Sequence, residues 1–114
     1  MVLAPHFEWA QDDSSLQIML PLKGSKIRDV DILVADLVIK VNFFPYVLIL
    51  DLLHEVEFST SKATSKDGML TLHVKKTKPD TWRTLQVEGL DKKSLTRRRN
   101  DSIERRRLYE QEVI

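Results

Sequence analysis

The chain has 114 residues, with 18 Lys plus Arg against 17 Asp plus Glu and a formal net charge of +1. That length argues for one domain around one modest core, and the near balance of charge excludes a whole-protein pull toward nucleic acid or an anionic membrane. Cysteine is absent, which excludes disulfides and cysteine-based zinc sites.

The longest apolar stretch, 37–50, is interrupted by Lys40, Asn42 and Pro45. It falls short of the roughly 20 uninterrupted apolar residues of a membrane span. The opening MVLAPHFEW has neither a basic leader region nor an apolar one. The expectation is a soluble cytoplasmic protein.

Residues 6–88 read as short strands with punctuation every eight to twelve residues. The first is 7–11, carrying Phe7 and Trp9 and ended by Asp12-Asp13. The second, 15–22, alternates Leu16, Ile18, Leu20 and Leu22 with other residues and ends at Lys23-Gly24. The third is 31–34, and Ala35-Asp36 makes a tight connection to the fourth, 37–43. Pro45 stops that strand because proline cannot donate to a ladder. The fifth is 46–53 and a short polar sixth is 59–64. Asp67-Gly68 is a strong hairpin signal before the seventh, 69–76. There Leu70, Leu72 and Val74 alternate with Thr71, His73 and Lys75. A final extended segment, 82–87, could pair as an eighth.

Composition shifts at Gly89. The tail DKKSLTRRRNDSIERRRLYEQEVI reads as a helix capped by Asp91, with Asp101 and Glu104 as a second possible start and a break possible at Asn100. Its apolar stripe, Leu95, Ile103, Tyr109 and Val113, is thin. The arginine triplets 97–99 and 105–107 are diluted by Asp101, Glu104, Glu110 and Glu112, so a solvated, salt-bridged helix is expected. The chain stops mid-pattern at Val113-Ile114, as a piece of a longer protein would.

Strand alternation assigns the faces. Trp9, Leu20, Ile39, Val41, Leu72, Val74 and Trp82 are expected in the core. Val38, Lys40 and Asn42 then face outward, and Val47 and Ile49 join them if strands four and five form a hairpin. An apolar pair beside a lysine is the mixed patch that protein partners use, so these five residues form the candidate partner-binding face.

Catalytic chemistry is not expected. His6, His54 and His73 lie in separate elements without metal-ligand spacing, and no nucleophile elbow or glycine-rich phosphate loop occurs. Asp12-Asp13 and Asp29 with Asp31 match no calcium loop and read as turn residues. No enzyme activity, cofactor or metal is expected.

The Phe7-Glu8-Trp9 opening, LPLKG at 20–24 and the K-x-x-x-P-D-T-W-x-x-L close over 75–85 together resemble a CS domain. That is the α-crystallin-like sandwich of small heat-shock proteins and of several co-chaperones of heat-shock protein 90. LPLKGSKIRDVDI, LVIKVNFFPYVL and WRTLQVEGLDKKSLTRRRNDSI narrow the resemblance to the dynein axonemal assembly factors of the dyslexia-susceptibility-candidate family. In that family an N-terminal CS domain leads through a charged helical region to tetratricopeptide repeats. The resemblance implies an all-β, two-sheet antiparallel β-sandwich over 1–89 with a C-terminal α-helix over 90–114. The helix would begin a linker to downstream domains that this chain lacks.

It further implies a non-enzymatic co-chaperone or adaptor in cytoplasmic preassembly of axonemal dynein arms for cilia and flagella. Partners would be heat-shock chaperones or dynein-assembly adaptor proteins, not nucleic acid or membrane, and the chain would be a monomer or weak dimer. Two alternatives stay open. One is a small-heat-shock-like holdase that binds unfolded clients and assembles through an edge strand. The other is nucleic-acid or acidic-surface binding through the arginine-rich tail.

Overall fold

A computed structural model describes residues 3–22, 24 and 26–112. Seven strands and one long helix follow in order: β1 (Glu8–Gln11), β2 (Ser15–Pro21), β3 (Asp31–Val34), β4 (Val38–Phe43), β5 (Tyr46–Asp51), β6 (Val56–Lys66), β7 (Met69–Lys76) and α1 (Lys92–Glu112). A 3-10 turn, Ile27–Asp29, precedes β3. The strands form two antiparallel sheets, a four-stranded one in the order β1-β2-β7-β6 and a three-stranded one in the order β3-β4-β5.

Register explains the core. Leu16 faces Val74, Ile18 faces Leu72 and Leu20 faces Leu70 across β2 and β7, and all six are buried. On the opposing sheet Ile39 pairs with Leu50 and Val41 with Leu48, again all buried. These pairs are the units of sheet stabilisation, and together the two inner faces fill one core. Trp82 is 2 % exposed and closes that core with Leu85. Trp9, expected in the core, is half-buried and packs against its edge, because β1 is the outermost strand of its sheet.

The Asp67-Gly68 hairpin carries φ of 53° and 76°, the pair of positive values that a two-residue type I′ turn requires. It joins Lys66 to Met69 in register.

Three elements differ from the sequence expectation. β6 runs from Val56 to Lys66, well beyond 59–64. A register shift between Glu57 and Lys62 breaks its alternation, and Thr60 fills the gap. Its hydroxyl donates to the Glu57 carbonyl at 2.7 Å and accepts the Lys75 amide at 3.0 Å. The segment 82–87 is not a strand. It meets the edge of β5 through a single bridge, Leu52 to Gln86, flanked by backbone bonds from the Leu53 amide to Leu85 and from the Val87 amide to Asp51.

The third difference is the helix, which is continuous through Asn100. Asp91 caps it, accepting the Ser94 amide at 2.7 Å, whereas Asp101 and Glu104 lie inside it and start nothing. The tail position Val113 and the turn position Lys23 lie outside the described residues.

Candidate interaction face and the arginine clamp

The outer face of the three-stranded sheet is assembled by strand pairing. Lys40 sits opposite Ile49 and Asn42 opposite Val47 on β4 and β5, and Leu33 of β3 lies opposite Lys40 on the other side. Asn42 and Ile49 are exposed, and Lys40, Val47 and Leu33 are half-buried. Four of the five expected face residues therefore share one accessible surface. At the tip of the same hairpin Phe44 is 87 % exposed, and the flanking Phe43 and Tyr46 rings stack with centroids 5.1 Å apart. Phe44 falls in the turn between strands four and five, and its signal in the sequence is a large aromatic directly before proline, with no strand neighbour to cover it.

Val38 corrects the expectation. It occupies the same outer face, opposite Asp51, yet it is fully buried. The reason is α1, which crosses that end of the sheet. Arg99 grips Asp51, the cross-strand partner of Val38, and Ser102 takes the amide of the neighbouring Leu37 at 2.9 Å.

The helix is largely solvated and salt-bridged, as its charges imply, but one side of it is tied to the sandwich. Arg99 holds Asp51 by two bonds of 2.7 Å, and Arg105 holds Asp36 by bonds of 2.6 and 2.9 Å. Arg98 donates to the carbonyl oxygens of Leu52 and Leu53, and Arg106 donates to that of Val34. The guanidinium of Arg106 also lies 5.9 Å from the Phe58 ring centroid, and Tyr109 packs edge-on against Phe58 at 5.2 Å. Among the described residues, Arg107 with Glu104 and Arg106 with Glu110 are the pairs within the helix.

The electrostatics follow from this clamp. Burial pushes the Asp36 carboxyl up, but hydrogen bonds from Arg105 and Ser102 and the charges of Arg105 and Arg98 outweigh it, leaving the group below the usual aspartate value. Hydrogen bonding to Asp51 raises Arg99, and hydrogen bonding to Asp36 raises Arg105. Arg98 is lowered by burial. The docking signal was present in the sequence as spacing: 95, 98, 99, 102, 105, 106 and 109 recur at three- and four-residue intervals and so share a face. Between Leu95 and Tyr109 the face is made of four arginines and one serine, so a search for apolar periodicity passes over it.

Elsewhere the polar residues are structural. Lys76 is 4 % exposed, with its ammonium on the Gln11 amide oxygen and the carbonyl oxygens of Asp12 and Asp80, 5.7 Å from the Trp82 ring centroid. Gln11 in turn bonds the backbone of Trp82 on both sides, so this network fixes the closing tryptophan. His54 sits edge-on to Trp82 at 5.6 Å. Asp12 accepts the amides of Ser14 and Ser15, which makes it a turn residue held below the usual aspartate value by those bonds. Among the described residues no cluster of three or more His, Asp or Glu could hold a metal, and no helix is long and apolar enough to cross a membrane.

A two-sheet sandwich of this topology, closed by a buried tryptophan, is the geometry against which relatives can be compared. Residues 4–88 match the family described as SHQ1-like, CS domain. The chain belongs to that CS-domain family. Among curated proteins, mouse dynein axonemal assembly factor 4 is 32 % identical over 102 residues, covering 90 % of this chain and 24 % of the relative. The chain thus spans about a quarter of the length of the curated relatives it matches. Among solved structures, the nuclear movement protein from E. cuniculi GB-M1 superposes with a TM-score of 0.65 at 23 % identity, over 71 % of this chain and 98 % of that one. Heat shock protein 16.0 from Schizosaccharomyces pombe superposes with a TM-score of 0.61 at 12 % identity, over 76 % and 99 %. At these identities the likeness is one of fold. The CS domain here is a two-sheet β-sandwich with a helix clamped across one end.

Proposed function

We propose that this CS domain is a non-enzymatic co-chaperone or adaptor module. In this reading it binds a heat-shock protein 90-type chaperone, or an adaptor partner, during cytoplasmic preassembly of axonemal dynein arms. The observation that carries the reading is the accessible outer face of β3, β4 and β5, in a chain whose curated relatives are named dynein axonemal assembly factor 4. Lys40 supplies a charge, Asn42 hydrogen-bonding groups, and Val47 and Ile49 apolar area, with Phe44 standing at the rim. A few apolar anchors ringed by polar groups is how protein interfaces are built.

The arginine tail supports this reading over nucleic-acid binding. Arg98, Arg99, Arg105 and Arg106 already have acceptors on the sandwich, so they are not free to meet phosphates.

The test is co-purification. Tagged chain expressed in ciliating cells should recover heat-shock protein 90 or axonemal dynein chains, and the Lys40→Glu variant should recover less of both. Equal recovery by a variant that folds normally would remove this face from the account.

A further inference from the structure

Ser102 lies midway between the two arginine triplets and is the one fully buried residue of a helix that is otherwise largely exposed. Its hydroxyl donates to Asp36 Oδ1 at 2.6 Å and accepts the Leu37 amide at 2.9 Å. Arg98, Arg99, Arg105 and Arg106 stand four and three residues before it and three and four after it, which places all four on its side of the helix. All four hold α1 to the sandwich, and Arg98 Nη1 is buried with no hydrogen-bond partner. Apolar contact adds little beyond the packing of Tyr109 on Phe58, since Leu95 and Ile103 are only half-buried and Leu108 is exposed. The clamp is polar, and it centres on one hydroxyl.

We propose that Ser102 is a phosphorylation site for an arginine-directed protein kinase, and that a phosphate there releases α1 from the sandwich. The co-reactant is a nucleoside triphosphate. Ser102 Oγ forms a bond to the γ-phosphorus, the bond from that phosphorus to the bridging oxygen breaks, the hydroxyl proton passes to the kinase, and the nucleoside diphosphate leaves. Arg98 and Arg99 supply the basic pair upstream that a kinase with an acidic substrate cleft selects.

The product cannot occupy the docked position. The hydroxyl that donated to Asp36 is gone, and a group of roughly two negative charges stands against that carboxylate. The released helix is nevertheless satisfied, because the phosphate oxygens come within reach of arginines one turn away on either side. Those arginines then leave Asp36 and Asp51, and Val38 loses its cover. Since Ser102 is buried while α1 is docked, the kinase acts on the undocked population, and the strength of the clamp sets the rate.

The experiment incubates the full chain with ATP and an arginine-directed kinase and maps phosphate by peptide mass spectrometry, with amide hydrogen exchange on the product. Wild type, Ser102→Ala, Asp36→Ala and Arg105→Ala are compared. Arg105→Ala loosens the clamp while leaving Arg98 and Arg99 in place, and it stands in if Asp36→Ala does not fold. One phosphate should map to Ser102 in wild type, and the loosened variants should label about tenfold faster or more, as loss of charge-assisted hydrogen bonds implies. Phosphorylated chain should exchange the amides of 92–112 faster while those of β2 and β7 stay protected. No label at Ser102 in the wild type, equal rates in the folded loosened variants, or a labelled chain with an unchanged helix would each overturn the proposal.

Discussion

Arg99 presents Nε and Nη2 to the two carboxylate oxygens of Asp51, each at 2.7 Å, and so fastens the helix to the end of β5. The carboxylate side chain is 9 % exposed and the arginine 30 %. A planar two-point contact of this kind is stronger and more directional than a surface ion pair.

Asp51→Ala should therefore lower stability by about 1.5–3 kcal/mol, the range for hydrogen bonds to charged groups. Arg99→Lys should recover little, because an ammonium cannot reproduce the fork. Urea denaturation of both variants checks this. A loss within error of zero for Asp51→Ala would mean that the helix is held elsewhere.

Trp82 is 2 % exposed and is bonded through its backbone to Gln11 on both sides. Trp82→Ala should cost roughly 3–5 kcal/mol, as large aromatic truncations in cores do. An unchanged thermal midpoint would contradict the closing role given to this residue.

Acid should loosen the helix before it unfolds the sandwich. Asp36 is held below the ordinary aspartate value of 3.8, since Arg105 and Ser102 outweigh its burial. A depressed carboxylate contributes stability that is complete above its unfolded value and is lost as pH falls through its lower folded value. Docking by Asp36 should thus be intact at neutral pH and fade only below the ordinary aspartate range. Helix amide shifts followed by NMR during acid titration should show this step, and Asp36→Asn should lack it. A step near neutral pH would contradict the assignment.

Much of the sandwich was legible in the residues. Leu16, Ile18 and Leu20 against Leu70, Leu72 and Val74 alternate cleanly, and Asp67-Gly68 has the turn chemistry its backbone requires. β6 is longer than its sequence pattern suggests because its register shift hides the alternation behind Ser, Thr and Lys. The outer face was legible at Lys40, Asn42, Val47 and Ile49 because pairing between β4 and β5 follows from a two-residue hairpin. It failed at Val38, whose cover comes from a helix more than fifty residues later in the chain. That docking runs through arginine, aspartate and backbone carbonyl groups, which a hydrophobic pattern does not register.

The most direct measurement is an NMR titration of isotopically labelled chain with heat-shock protein 90. Shifts or broadening should concentrate at Lys40, Asn42, Phe44, Val47 and Ile49, and should be greatly weakened in Lys40→Glu with the rest of the spectrum unchanged. Perturbation confined to β1, β6 or the exposed side of α1, or full-strength binding by Lys40→Glu, would contradict this.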